Sequence, residues 1–150
     1  MKKTVIFCYS RHHENTLKIA EAVRDRCGAQ LVRLPGDEVP DIRDYELVGF
    51  ASGIYASSFG HPLTELLDRL EGLEGKDCFT MYTSGFDSKN FDAGFVRKLQ
   101  NRGADVIGRF ACTGFDTFGP FKLVGGISKG HPDSRDTDAA VDFCTDLMKE

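Results

Sequence analysis

Val5-Ile6-Phe7-Cys8-Tyr9 runs straight into Ser10-Arg11-His12-His13-Glu14-Asn15-Thr16, an unbroken apolar stretch that stops at a polar loop. A strand with one wet face alternates apolar and polar residues, whereas a strand covered on both faces reads as a continuous apolar run. The polar segment leads into Asn15 to Cys27, where Ile19, Ala20, Val23 and Cys27 fall on one helical face and Gly28 supplies a stop. Strand, polar loop and helix in that order open a parallel α/β unit.

The same alternation continues along the chain. Further strands are predicted at Leu31 to Leu34, ended by Pro35-Gly36, at Leu47 to Ser52, at Cys78 to Thr83 and at Val106 to Cys112. Leu63, Leu66, Leu67 and Leu70 lie at i, i+3, i+4 and i+7, the stripe of a helix packed on a sheet. Phe91, Phe95 and Leu99 mark another helix closed by Gly103, and Asp133 or Ser134 caps a last one with Ala140, Phe143, Cys144 and Leu147 inward. Neither internal repeats, low-complexity tracts nor linkers interrupt the pattern. It predicts one doubly wound α/β domain over residues 1–150, five strands alternating with four helices.

Composition narrows the functional classes. At 41% apolar and 28% charged, 150 residues suit a globular domain with a sizeable core. No apolar run approaches the roughly 20 residues that span a bilayer, and the first apolar stretch ends at Tyr9 without a signal-peptide core. A net charge of −4 without a basic cluster gives no face for nucleic acid. The five cysteines, Cys8, Cys27, Cys78, Cys112 and Cys144, are odd in number and scattered among apolar residues, the pattern of buried thiols in a reducing compartment, so a cytoplasmic location is expected.

A doubly wound sheet binds ligands beyond the carboxyl ends of its strands, which puts weight on four loops. The first crowds hydroxyl, imidazole and amide groups of Ser10, His12, His13, Asn15 and Thr16 around a helix N-terminus, where free N–H groups favour an anion; a plain helix cap by Ser10 or Asn15 with solvated histidines is the alternative. The chain has no GxxxxGK[ST] or GxGxxG. A phosphatase cysteine at Cys8 would need arginine where Glu14 stands, and a zinc site from Cys8, His12 and His13 lacks a fourth ligand. A receiver domain is excluded because no acidic pair follows the first strand and the third ends Ala51-Ser52-Gly53.

Strand, then Ser10-x-His12-His13-x-Asn15-Thr16, then helix resembles the phosphate loop of the flavodoxin family, in a variant with paired histidines and with Glu14 where the family has glycine. The second loop, Ser52-Gly53-Ile54-Tyr55-Ala56-Ser57-Ser58-Phe59-Gly60-His61-Pro62, is similar to the segment that walls one face of the flavin ring. The resemblance implies Tyr55 or Phe59 as stacking plates and Gly60 as a peptide able to turn beside the flavin N5; a loop anchored by two aromatics is the plainer reading. Thr83-Ser84-Gly85-Phe86 looks like the turn along the pyrimidine edge, with Arg11 and Ile54 as further contacts. Gly114-Phe115-Asp116 repeats the Gly-Phe-Asp of residues 85–87 one strand over.

The resemblance implies a flavodoxin-like three-layer sandwich, a five-stranded parallel sheet of order 2-1-3-4-5 with helices on both faces, with FMN as cofactor, no metal and no catalytic side chain. It implies an electron carrier cycling between oxidised, semiquinone and hydroquinone flavin, serving partner proteins as a monomer or weak homodimer, apart from membranes and nucleic acid. Asp87 and Asp116 near the ring would lower its last potential. An NAD(P)H:quinone-type oxidoreductase of the same fold is the alternative reading, and a flavin-free binding or scaffold module is a second.

Overall fold

Five parallel strands make the middle layer of the computed structural model, which describes residues 1–11, 14–55, 57–85, 90–114 and 130–150. They are β1 (Thr4–Tyr9), β2 (Gln30–Arg33), β3 (Leu47–Tyr55), β5 (Asp77–Ser84) and β6 (Asp105–Thr113), with a two-residue β4 (Ser58–Phe59) between the third and fourth. Their order is β2-β1-β3-β5-β6, and β4 pairs antiparallel with the end of β3. Setting that short strand aside, the order is the expected 2-1-3-4-5. The helices are α1 (Asn15–Cys27), α2 (His61–Arg69), α3 (Ala93–Asn101) and α4 (Ser134–Met148).

The period of two along each strand sorts the core into two layers. Val5, Phe7, Val48, Phe50, Cys78 and Tyr82 turn to α2 and α3, meeting Leu63, Leu66, Leu67, Phe95 and Leu99. Ile6, Cys8, Ala51, Phe79 and Met81 turn to α1 and α4, meeting Ile19, Ala20, Val23, Ala140 and Cys144. The run Val5 to Cys8 is continuous because each residue has a covered face to enter. Gly49, in the central strand, carries the ring of Phe79 where a side chain would be: a Cβ there would stand 2.3 Å from Phe79 Cζ.

Local chemistry closes the helix ends. Gly28 adopts the left-handed conformation after α1 (φ 78°), and its N–H donates to the Arg24 carbonyl. The Arg102 guanidinium donates to the carbonyls of Leu67 and Leu70, holding the last turn of α2 against the end of α3. Before α4, Asp133 accepts from the Arg135 and Asp136 N–H groups while Asp136 accepts from the Asp133 N–H, a reciprocal cap that selects Asp133 of the two expected candidates.

Two strands form the rims. At the end of β2, the Arg33 N–H donates to Asp37 Oδ2 at 2.9 Å, and the Asp37 N–H donates back to the Arg33 carbonyl at 3.0 Å. At the other rim Arg109 of β6 reaches Asp92, the residue before α3, which is 1% exposed. Arg109 Nε donates to Asp92 Oδ2 at 2.8 Å and Nη2 to Oδ1 at 2.5 Å, while Thr80 Oγ1 donates to Oδ2 at 2.6 Å. Burial pushes the Asp92 carboxyl up, but Arg109 and Thr80 together hold it below the ordinary aspartate value.

Among the described residues, no helix is long and apolar enough to cross a membrane. Burial pushes the thiols of Cys8, Cys78 and Cys112 up to about 12, and that of Cys144 upward as well.

Candidate functional site

The strands end nearly level, which brings the four loops to one edge. Tyr9 of β1 stands beside Ser52 of β3, Gly53 beside Thr83 of β5, and Ser84 beside Thr113 of β6. Ser10, Arg11, Asn15 and Thr16, Ser52 to Tyr55, Thr83 to Gly85, and Gly114 therefore share the carboxyl rim. His12, His13, Phe86, Asp87, Phe115 and Asp116 lie outside the described residues.

In the first loop, Glu14 occupies the N-cap position of α1 without a side-chain cap bond. Neither Ser10 nor Asn15 caps the helix, because both are displaced from that position: Ser10 stays in the loop and Asn15 is already the first helical residue. The Asn15 carboxamide is buried against Gly114, where a Cβ would lie 2.5 Å from Nδ2. Thr16 turns towards β5, and its Oγ1 lies 2.7 Å from Thr83 Oγ1 in a buried hydroxyl pair. The Gly114 N–H donates to the Ser84 carbonyl at 2.8 Å, so the ends of β5 and β6 are joined beside that pair.

Glu14 itself sits at φ 52°, ψ 32°, the left-handed region where glycine is favoured. Glycine, which the resemblance places at this position, would adopt that conformation without strain. The Glu14 side chain is exposed and lines a hollow of about 360 Å³ towards β2 with Ser10, Arg33 and Asp37, while Asn15 and Thr16 face the other way. Glu14→Gly is expected to stabilise the fold by roughly 0.5–1 kcal/mol. The left-handed strain of about 1–2 kcal/mol is relieved, less about 0.4–1 kcal/mol for glycine's greater freedom when unfolded. A urea midpoint unchanged or lowered by the substitution would contradict this.

The second loop departs from expectation. β3 continues to Tyr55 and turns back through Ser57 (φ 65°) into β4, a tight hairpin where an open loop was expected. Phe59, read as a stacking plate, is 5% exposed and belongs to the core. Its ring stacks on Phe95 at 4.9 Å and meets Tyr82 at 6.2 Å, because β4 turns that side chain under α2 and α3. Gly60, read as a peptide free to turn, is pinned at both ends: its N–H donates to Ser52 Oγ at 2.9 Å and its carbonyl accepts from the Leu63 N–H. Its φ of −61° is open to any residue. Glycine is needed there because a Cβ would stand 2.1 Å from the Tyr9 ring.

Tyr55 does stay at the rim, partly buried, its ring tilted on Tyr9 with centroids 5.3 Å apart. Tyr9 was missed in the sequence because it reads as the last apolar residue of the first strand. The signal that could have found it is an aromatic placed directly before the polar loop.

One group of metal-ligating types occurs among the described residues, His131 with Asp133 and Asp136 at the start of α4. Both carboxylates serve the helix cap, and His131 Nδ1 lies 2.7 Å from Asp136 Oδ2. That contact holds the His131 pKa above the ordinary histidine value.

The donors at the rim suit a phosphate ester carrying a flat ring. Hydroxyls, a carboxamide and the first-turn N–H groups of α1 converge at one end, and small residues with a tyrosine pair lie at the other. No family model matches the chain. It is 34% identical over 149 residues to the uncharacterized protein MJ0298 of Methanocaldococcus jannaschii, covering 98% of this chain and 99% of that one. Among solved structures it is similar to a flavodoxin of Streptococcus pneumonia TIGR4, with a TM-score of 0.68 at 13% identity over 96% of this chain and 97% of the other. It is also similar to a flavoprotein of Lactobacillus acidophilus NCFM solved in complex with FMN, with a TM-score of 0.61 at 18% identity over 74% of this chain and 93% of the other. The chain belongs to the family of MJ0298, and its fold is that of the flavodoxins.

Proposed function

We propose that this protein binds one FMN across the carboxyl rim of its sheet and works as an electron-transfer protein for partner proteins. The observation that carries this reading is the level ending of β1, β3, β5 and β6 around the start of α1, with Thr16 and Thr83 joined at its centre. A flavoprotein of the same fold, crystallised with FMN, supports the choice of cofactor.

The residues fit the group. Ser10, Asn15 and the first-turn N–H groups of α1 would hold the phosphate, and Glu14 shares with Ser10 the lining of the hollow beside β2. His12 and His13 join them on the strength of the sequence pattern. Thr83, Ser84 and Gly85 would run along the polar edge of the ring, and the Tyr9–Tyr55 pair would wall it. FMN, when bound, supplies the electron chemistry, and the chain supplies position and surroundings.

The visible spectrum of the purified protein, followed by stepwise anaerobic reduction with dithionite, tests the reading. Flavin bands, with long-wavelength absorption from one-electron-reduced flavin part-way through, are expected. Direct passage to the two-electron form would favour an oxidoreductase that takes hydride from a nicotinamide. A colourless protein that also fails to take up added FMN would leave only the flavin-free module.

A further inference from the structure

We infer that Tyr55 is a positioning residue for the first loop, acting through its hydroxyl, and that it makes the site discriminate a phosphorylated flavin from an unphosphorylated one. The inference rests on the FMN reading above and goes beyond it. Stacking is the role an aromatic at this rim would ordinarily be given, and it would use only the ring.

The geometry uses the other end of the side chain as well. Tyr55 Oη accepts the Arg11 N–H at 2.8 Å, a bond across 44 residues that joins the end of β3 to the loop between β1 and α1. The phenol is led to that amide by its neighbours. It lies back along its own strand, so that a Cβ on Gly53 would stand 2.8 Å from Oη. Its ring leans on Tyr9 at 56°, and Tyr9 is held in turn by Gly60, whose N–H is fastened to Ser52 Oγ. Gly53 and Gly60 thus make room for a two-tyrosine bracket whose tip is a hydrogen-bond acceptor for the loop.

The loop needs such a bracket. Arg11 is exposed, and Glu14 is held in a left-handed conformation that disfavours a residue with a side chain. Ordering these residues before a ligand arrives reduces what binding must spend on ordering them. The benefit falls on whatever the loop contacts, which is the phosphate end, while the ring end is served by Thr83 to Gly85.

The test is Tyr55→Phe, which keeps the ring and removes the hydroxyl, with Tyr55→Ala beside it. Affinities for FMN and for riboflavin, the same ring without the phosphate, are measured by fluorescence quenching on flavin-free protein. Amide hydrogen exchange at Arg11 is followed by NMR without ligand. Tyr55→Phe is expected to weaken FMN about five- to tenfold, the scale of one hydrogen bond. Riboflavin affinity should stay unchanged and Arg11 exchange should quicken. Tyr55→Phe binding both flavins like the wild type, with Tyr55→Ala weakening both equally, overturns the inference in favour of a stacking plate. Equal weakening of both by Tyr55→Phe overturns it too. Wild-type protein that binds neither flavin defeats the FMN reading instead. Arg11 exchange then decides the bracket alone, and equal rates in wild type and Tyr55→Phe would refute it.

Discussion

Arg109→Met is expected to lower the unfolding free energy at pH 7 by about 3 kcal/mol, the lower end of the range for breaking a buried ion pair. The lower end applies because the Arg109 side chain is 42% exposed, whereas Asp92 at 1% is the group left stranded. Methionine preserves the aliphatic stem, so the loss reports the charge. The pH dependence separates this mechanism from mere loosening of β6. In the wild type the Asp92 pKa is depressed, so its contribution is present above the unfolded aspartate value and lost only as pH falls through the lower, folded one. Without Arg109, burial dominates and the folded pKa rises above the unfolded one. The variant's deficit should be full at neutral pH and shrink as pH falls towards 4. Adding Asp92→Asn should recover part of the loss at pH 7. Urea unfolding at several pH values measures all three, and a deficit independent of pH would show that Asp92 is not held there as a buried carboxylate.

Gly49→Ala is the second large effect, and its sign runs against the usual one. Alanine in a strand interior normally gains about 0.5–1 kcal/mol over glycine. Here the new methyl would meet Phe79 Cζ at 2.3 Å and both Cε atoms within 2.8 Å. Phe79 cannot withdraw, being fully buried and set edge-on against Phe143 with centroids 5.9 Å apart. A loss of about 3 kcal/mol is expected, the upper end of ordinary overpacking. Combining Gly49→Ala with Phe79→Leu should cost less than the sum of the two single changes by at least about 1 kcal/mol, since each relieves the other. Strict additivity in equilibrium unfolding would mean the sheet yields locally and the contact is not the cause.

What was legible in the sequence follows from how local each signal is. The run Val5 to Tyr9 announced a strand covered on both faces, and the four leucines from Leu63 to Leu70 announced the face of α2, because burial pattern and period suffice for both. Asn15, Thr16 and Thr83 were assigned to one ligand, and the structure brings Thr16 and Thr83 into contact. The β3–β4 hairpin was not legible, since its turn places Ser57, not a glycine, at positive φ. Phe59 went astray for the same reason: whether an aromatic near a hairpin faces ligand or core depends on one step of register. Gly60 was credited with freedom when its true constraint is the Tyr9 ring, a neighbour 51 residues away in the chain. Asp92 gave no warning, because what permits a buried carboxylate there is Arg109, supplied by the adjoining strand.

The reciprocal pair between Arg33 and Asp37 has a bearing on how copies of this protein behave towards one another. A strand at the rim of a sheet exposes amides that can template an incoming strand, the step that starts edge-to-edge polymerisation. β2 is four residues long, and its last residue has both backbone groups taken by Asp37, which imitates a neighbouring strand. An intruding chain is left with too short a ladder to hold. The bond from the Arg33 N–H keeps the Asp37 pKa below the usual aspartate value, with the Arg33 side chain assisting. The plug is thus held in its ionised, accepting form, and its second bond, from the Asp37 N–H to the Arg33 carbonyl, does not depend on that charge.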